Sequence, residues 1–550
     1  MTKNLHPAAL LYTLLLIIVY AMGCSIPLFD HDSSHHALIG MRMYLTGNYV
    51  ELMDRGKDYL DKPHLLFWLS ALGNQLWGTG TVAYKLPSMI LSLPGIYATY
   101  RLGKHFYGKQ AGIYAVVILL STQAFILSLN DVRMDALLMS FIVSATWFLY
   151  YYTITGRFSQ LLSGSVFLAL AFATKGMSGV AVPVIAVGLQ LLYSRNWKFL
   201  LSFKWLWAVP LFFMFISPVL YCYYLQFDLH PEKVIRGSSS ISGVAFILFF
   251  QNTERFTGVN WGGSGANDPF FFFHTLLWAL LPWCLLAYWA YFKKSKTLFT
   301  QKFREQPGGE IISWGTITVM FTILSMSGFK LPHYLNILFP FFALLIAGTL
   351  QEITEGRQLL NIQKFVAVVM VPMILIISGY LFPIQSWLPA VPALLAAGLI
   401  VYEWITPAHW RRKLVYLSLG VSIFANLLMN GSFYPQVQQY QAGHRIAAKA
   451  KELGIAPETL FYYDSSWESP SLNYYLGAFP ETLESLPESA HQFWVVGPSE
   501  KVLSAADSLE IVASYPFPDY HTSKLKRLFL DPATREDACT KVSLVQFRKR

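Results

Sequence analysis

Runs of about twenty apolar residues, parted by short polar connections, recur along most of this chain. That is the length a helix needs to cross a hydrocarbon core of ~30 Å. Run length predicts about thirteen spanning helices, at roughly 8–28, 82–101, 110–129, 134–153, 158–173, 176–194, 203–225, 272–292, 309–327, 333–350, 364–382, 387–405 and 413–430. The first segment, Ala8 to Leu28, shows no small-residue cleavage site and is expected to be retained as a helix. Two long polar interruptions stand out, near 29–80 and 226–271. Within the first, Ala37, Leu38, Met41 and Leu45 share one helical face between His35 and Thr46, with Gly47 as a stop. Such a helix is expected to lie in the membrane interface. Pro63 to Trp77 is apolar but short, which suggests a second interfacial or re-entrant helix.

From about Gln441 the pattern changes. A helix over His444–Leu453 is predicted, followed by strands at Leu460–Tyr463, Phe493–Val496, Leu509–Ala513, Leu525–Leu530 and Val542–Phe547. The expected organisation is a membrane domain over 1–440 and a small α/β domain over 441–550, the latter of about 110 residues and within the usual domain range.

Composition agrees with a mainly α, polytopic membrane protein. Only 13% of residues are charged and 54% are hydrophobic, whereas soluble chains carry about 25% charged residues. The net charge of +10 does not indicate a nucleic-acid partner, because Lys and Arg fall mainly in short loops between apolar runs. With the N-terminus in the cytoplasm, alternate loops carry Arg101/Lys104/Lys109, Arg157, Arg195/Lys198/Lys204, Lys293/Lys294/Lys296/Lys302/Arg304, Arg357/Lys364 and Arg411/Arg412/Lys413. This is a consistent positive-inside pattern, and it places both long interruptions and the C-terminal domain on the outer side. The four cysteines, at 24, 222, 284 and 539, have no paired or metal-ligand spacing. No glycine loop for nucleotide phosphates, Walker motif or zinc spacing is present.

The informative feature is charge kept at one depth on that outer side: Asp30, His31, Asp32, His35 and His36; Asp61 and Lys62; Asp131, Arg133 and Asp135; Lys175; Arg255; Lys330 and His333. Ionisable groups near a membrane are costly and are kept where they face protein, water or substrate. Asp32 sits at the start of a helix, where the dipole favours a carboxylate. It is the first candidate for a general base, against helix capping as the plainer role, with Asp30 as the competing carboxylate. Lys62 offers a fixed positive charge, against a snorkelling lysine. Arg255 suits bidentate phosphate recognition, and Glu254 beside it could instead make a local ion pair. Lys330 and His333 fall in a connection short enough to hold them at headgroup depth. His31, His35 and His36 with Asp61 could bind a divalent metal. Cations facing a carboxylate fit sugar transfer from a lipid phosphate, where negative charge develops on the departing phosphate.

These segments resemble the membrane glycosyltransferases of the GT-C superfamily, and most of all the aminoarabinose lipid A transferases and the related bacterial protein mannosyltransferase-like enzymes. The family's opening acidic motif is matched by Leu28-Phe29-Asp30-His31-Asp32-Ser33, which puts Asp32 on the catalytic aspartate and Ser33 where the family has glutamate. The Glu-Lys-Pro-Pro motif resembles Asp61-Lys62-Pro63-His64, Arg-x-Asp resembles Arg133-Met134-Asp135, and Thr-Lys-Gly resembles Thr174-Lys175-Gly176. The aromatic run ending Arg-Phe is similar to Phe249 through Phe256, without the metal-ligating histidine that some relatives carry before the arginine. Lys-Leu-Pro-x-Tyr is similar to Lys330-Leu331-Pro332-His333-Tyr334. The resemblance covers about residues 10–350, and the tail only by layout.

The resemblance implies inverting transfer of a sugar, such as 4-amino-4-deoxy-L-arabinose, from an undecaprenyl-phosphate donor to lipid A or another lipid or protein acceptor. The setting would be the periplasmic face of the bacterial inner membrane. Asp32 would be the base or acceptor-orienting group; Lys62, Arg255 and Lys330 would bind the leaving phosphate. Arg133, Asp135 and Lys175 would position substrates or shape the cavity, with Asp135 also a catalytic candidate. Asp30, His333 and Tyr334 join the expected substrate-binding set, and Asp61 with His35 a divalent-metal option. Competing readings are a protein O-mannosyltransferase, a transporter and a non-catalytic polyprenyl-lipid binding protein. Transporters usually show internal pseudo-symmetry and sites at the membrane midplane, whereas these charges lie toward one face.

Overall fold

The structure, a computed structural model, describes residues 7–29, 32–237, 239, 241–257, 268–304, 309–486, 492–505, 509–520 and 525–549. Every expected span falls on a helix or a pair of helices. Among the described residues, eight helices are long and apolar enough to cross a membrane, so the count of thirteen is not reached by length alone. The difference has a plain cause: the other expected spans are short or broken. Met177–Tyr193 and Ile312–Met326 fall below spanning length, and Lys109–Leu120 meets Gln123–Asn130 at a 54° bend. The expected 82–101 span divides into Thr81–Leu91 and Leu93–Tyr107, with Pro94 in the first turn of the second piece, where its missing N–H is tolerated.

Burial sorts the bundle. Asp135–Thr155 and Pro332–Glu352 are 78% and 89% buried along their apolar windows, while Trp197–Asp228 is only 6% buried. The first two therefore form the centre, and the last turns its apolar surface outward, as a lipid-facing helix does. The C-terminal end of the Pro7–Ser25 helix is satisfied from inside: Lys85 Nζ, fully buried, donates to Gly23 O at 3.0 Å and Ile26 O at 2.6 Å. These are helix-end carbonyls with no intrahelical partner.

The first polar interruption folds as expected into a helix, Asp32–Thr46, and a second one, Leu65–Trp77, packed against it. The first begins at Asp32, slightly earlier than the sequence suggested. Between them lies a short hairpin pairing Met53–Asp54 with Lys57–Asp58. The second interruption clamps this hairpin. Tyr224–Asp228 forms a widened helical turn that brings Gln226 against it. Gln226 Nε2 donates to Leu52 O at 3.1 Å and Asp58 Oδ1 at 2.8 Å, and its Oε1 accepts from Leu52 N at 3.1 Å.

The C-terminal region carries a five-stranded mixed sheet in the order Thr482–Leu483, Leu460–Tyr463, Gln492–Pro498, Thr540–Lys549, Leu509–Asp519. The first three strands are parallel and the last two pair antiparallel. Leu525–Leu530 is not the expected strand: Arg527–Leu530 is a single helical turn. Arg535 takes the carbonyls of Phe529 and Leu530 at 2.9 and 3.1 Å, and Tyr520 stacks on Phe529. The segment is thus held by side chains and not by a ladder. The region is fastened to the helices by two tyrosines: Tyr474 Oη donates to Asn74 Oδ1 at 2.8 Å, and Tyr475 Oη accepts from Leu28 N at 2.8 Å.

Candidate active site

Arg133 lies in the tight connection between Gln123–Asn130 and Asp135–Thr155. Its guanidinium joins two carboxylates: Nη1 to Asp32 Oδ2 at 2.9 Å, and Nη2 and Nε to Asp131 Oδ2 at 2.9 Å each. Asp131 first, and Asp32 after it, hold the guanidinium protonated against burial. The fork geometry of Arg suits such sharing. Asp32 opens its helix with a half-exposed carboxylate, 52% accessible, so it is oriented from inside and open to an incoming molecule.

One layer deeper, Asp135 in the first turn of its helix meets Lys175, the last residue of Phe158–Lys175, at 3.2 Å. Helix dipoles favour a carboxylate at the first position and an ammonium at the second. Both side chains are nearly enclosed, and Lys175 Nζ also sits 4.9 Å from the Tyr334 ring centroid. Asp131, Arg133, Asp135 and His333 line a polar cavity of about 300 Å³. Lys175 and Tyr334 also border a second cavity of about 340 Å³, walled by Leu138, Met177, Ala181, Ile185, Met320, Leu324 and Phe256. The Asp135–Lys175 pair thus links the two, its carboxylate lining the polar cavity and its ammonium the apolar one.

Lys62 is set by its neighbours. Buried Gln251 donates to Leu60 O at 2.9 Å and Asp61 O at 3.0 Å, fixing the backbone just before the lysine. Asp61 pairs with Arg236 at 3.0 Å, and Arg236 also pairs with Glu254 at 3.3 Å. Lys62 is close enough to His36 and His333 to act on both electrostatically. Lys330, buried, donates to Asp268 O at 3.1 Å. Asp30 lies outside the described residues, as does the side chain of Arg255, whose backbone belongs to Gln251–Thr257.

The structure therefore gathers Asp32, Arg133, Asp135, Lys175, His333 and Tyr334, with Lys62 at the edge. Of the metal option, His31 lies outside the described residues, and the described members are otherwise engaged. His35 pairs with Asp54 at 3.1 Å and Asp61 with Arg236. Among the described residues, no group of three His, Cys, Asp or Glu is placed to hold a metal ion.

Three residues outside the expected set belong to the site. Asp131 secures Arg133, and Gln251 secures the chain before Lys62. His36 is one helical turn after Asp32 and 3.4 Å from Tyr59 Oη. Burial first, then the charges of His35, Lys62 and Arg133, push its imidazole well below the usual range. His36 was legible as the i+4 partner of Asp32 on one helix face. Asp131 lies two residues from Arg133, so its pairing is local, whereas Gln251 acts through long-range packing that spacing does not report.

The model of the family described as dolichyl-phosphate-mannose-protein mannosyltransferase matches residues 61–222. The chain is 24% identical over 346 residues to the undecaprenyl phosphate-alpha-4-amino-4-deoxy-L-arabinose arabinosyl transferase of Edwardsiella ictaluri, covering 62% of this chain and 58% of that one. With the protein of the same description from Pseudomonas aeruginosa (strain UCBPP-PA14), identity is 23% over 279 residues, covering 49% and 48%. The alignments thus span about half the length of these curated relatives. The crystal structure of ArnT from Cupriavidus metallidurans bound to undecaprenyl phosphate superimposes with a TM-score of 0.74 at 16% identity, covering 98% of this chain and 97% of that one. Its apo state gives 0.71.

The fold is that of a GT-C membrane glycosyltransferase. Within that class, the chain resembles the aminoarabinose transferases, as its motifs implied.

Proposed function

We propose that this protein transfers a sugar from a polyprenyl-phosphate donor to an acceptor of the bacterial envelope. More finely, it moves 4-amino-4-deoxy-L-arabinose from undecaprenyl phosphate to a lipid A phosphate on the periplasmic face. One observation carries this reading: Lys175 lines an apolar cavity and pairs at 3.2 Å with Asp135, which lines a polar cavity together with Arg133, and Asp32 is bound to the same Arg133. The polyprenyl chain occupies the apolar cavity and its phosphate meets Lys175. The acceptor oxygen enters past Asp32 and attacks the anomeric carbon opposite the phosphate. The bond from that carbon to the phosphate oxygen breaks, and its electron pair leaves with the polyprenyl phosphate. Lys62, Lys175, Lys330 and Arg255 neutralise the charge that develops there, the kind of stabilisation that lowers such barriers most. A hydroxyl acceptor gives its proton to Asp32. A phosphate acceptor is already anionic, and Asp32 with Arg133 then orients it.

The family model over residues 61–222 favours one alternative, a Ser or Thr hydroxyl on an envelope protein as acceptor. The test is transfer by the purified protein in nanodiscs, supplied with the undecaprenyl-phosphate aminoarabinose donor and either lipid A or envelope proteins, read by mass spectrometry. Lipid A is expected to gain the sugar, and Asp32→Asn to slow transfer by about a hundredfold, the scale of misplacing an acceptor that Asp32 and Arg133 orient. Modified protein with untouched lipid A would establish the alternative, and a fully active Asp32→Asn enzyme would remove that residue from the chemistry.

A further inference from the structure

A third cavity, of about 380 Å³, lies between the Asp32–Thr46 helix, the short hairpin and the C-terminal region. Leu38, Arg42 and Thr46 recur at helical spacing along the wall that faces it. Arg55 enters from the hairpin turn; Tyr462, Glu468, Asn473 and Phe479 enter from the C-terminal side. Arg55 Nε is 3.5 Å from Glu468 Oε2, so these two answer each other. Arg42 differs. Its guanidinium lies 5.7 Å from the Phe479 ring centroid, and among the described residues it makes no hydrogen bond or ion pair. Asp54, a carboxylate that feels its charge, is paired with His35. An arginine stacked on an aromatic face, with its N–H donors unspent, is preorganised for bidentate recognition of an oxyanion. The C-terminal region is also fastened elsewhere, by Tyr474 and Tyr475.

We propose that this cleft is a binding subsite for a phosphorylated sugar, with Arg42 as the anion contact and Phe479 and Asn473 as the saccharide contacts. Arg42 follows Asp32 by ten residues on one helix, a rise of about 15 Å. That is the reach of a disaccharide bearing a phosphate at each end. One phosphate reacts beside Asp32 while the other is held by Arg42, and this gives the C-terminal region a part in choosing the acceptor. The identity of the ligand rests on the sugar-transfer reading; the existence of an anion subsite does not.

The test separates the two. The full-length protein in nanodiscs is titrated with acyl-free glucosamine disaccharide 1,4′-bisphosphate and with its monophosphate, with binding read by calorimetry. Transfer to bisphosphoryl and monophosphoryl lipid A is measured in parallel. Arg42→Gln is expected to weaken bisphosphate binding about tenfold, the scale of one lost charge-assisted contact. It should also raise the KM for bisphosphoryl acceptor with little change in kcat or in donor KM. Phe479→Ala should follow in the same direction, and Arg42→Lys should recover part of the loss. Equal bisphosphate affinity in wild type and Arg42→Gln, with both folded, would overturn the subsite. Arg42-dependent binding without any transfer would leave the subsite standing and overturn the activity instead.

Discussion

Replacing Lys175 by alanine tests whether the Asp135–Lys175 pair belongs to the fold, to the chemistry, or to both. The two side chains meet at 3.2 Å with 8% and 5% of their surface accessible. Removing the ammonium leaves a carboxylate enclosed without its partner. Breaking a buried pair from one side costs about 3–5 kcal/mol, because the remaining charge stays desolvated. Loss of the contact with the Tyr334 ring adds about 0.5–2 kcal/mol. Replacing both partners by neutral groups of similar size, Asp135→Asn with Lys175→Met, removes the stranded charge, and such replacements are often neutral for stability. Unfolding can be followed with a thiol-reactive dye, since Cys222 and Cys284 are free and buried. The single variant is expected to unfold at clearly lower temperature, and the double variant near the wild type. Both are expected to lose donor use, because neither presents a cation to the phosphate. A single variant as stable as wild type would show that the pair is not a desolvated one. A double variant with full transfer activity would take Lys175 out of phosphate binding.

Two further outcomes follow from the helices that carry the site. His64 is buried, with its Nε2 donating to Val50 O at 2.8 Å, and burial pushes its imidazole down to about 4. The unfolded chain takes up a proton near 6.5, so the neutral folded form loses stability as pH falls from there to about 4, by about 3 kcal/mol in all. His64→Gln should flatten that part of the stability profile, and an unchanged slope would contradict the assignment. At Gly40, an added Cβ would stand 2.3 Å from Ser70 Cβ and 2.9 Å from Phe67 O. Gly40→Ala should therefore force the Asp32–Thr46 and Leu65–Trp77 helices apart and cost about 1–3 kcal/mol. A melting temperature within error of wild type would show that the gap closes without strain.

Much of this arrangement was legible in the sequence because the membrane imposes a strong rule. Apolar run length located every expected helix, and amphipathic spacing located Asp32–Thr46. The broken spans were harder, since a run such as 82–101 keeps its apolar character across the break at Ser92, and Pro94 alone marks the boundary. Leu525–Leu530 read as a strand because its composition suits one. The carbonyls that decide the matter are claimed by Arg535, outside any local window. Ionisable residues announced that they belonged to one depth, yet their pairing is tertiary. No spacing tells that Arg133 joins Asp131 to Asp32, or that His35 pairs with Asp54 and not with Asp61.

Those pairings set what the pocket can do with a phosphate. Asp32, Asp131 and Asp135 contribute three negative charges; Arg133 and Lys175 answer two of them directly. Lys62 and Lys330 add two positive charges and Asp268, beside Lys330, adds one negative charge, so these side chains sum to zero. A polyprenyl phosphodiester carries one negative charge, so these groups leave no positive charge to spare once the donor is bound. When the bond to the sugar breaks, the phosphate gains a second negative charge, and stabilising it calls for a cation that the ground state does not need. Arg255 is the residue the motif resemblance supplies for that place. Under this reading Arg255→Gln should lower kcat more than it raises the donor KM, since an interaction made mainly in the transition state acts on the chemical step. A variant in which only the donor KM rises would assign Arg255 to ordinary binding.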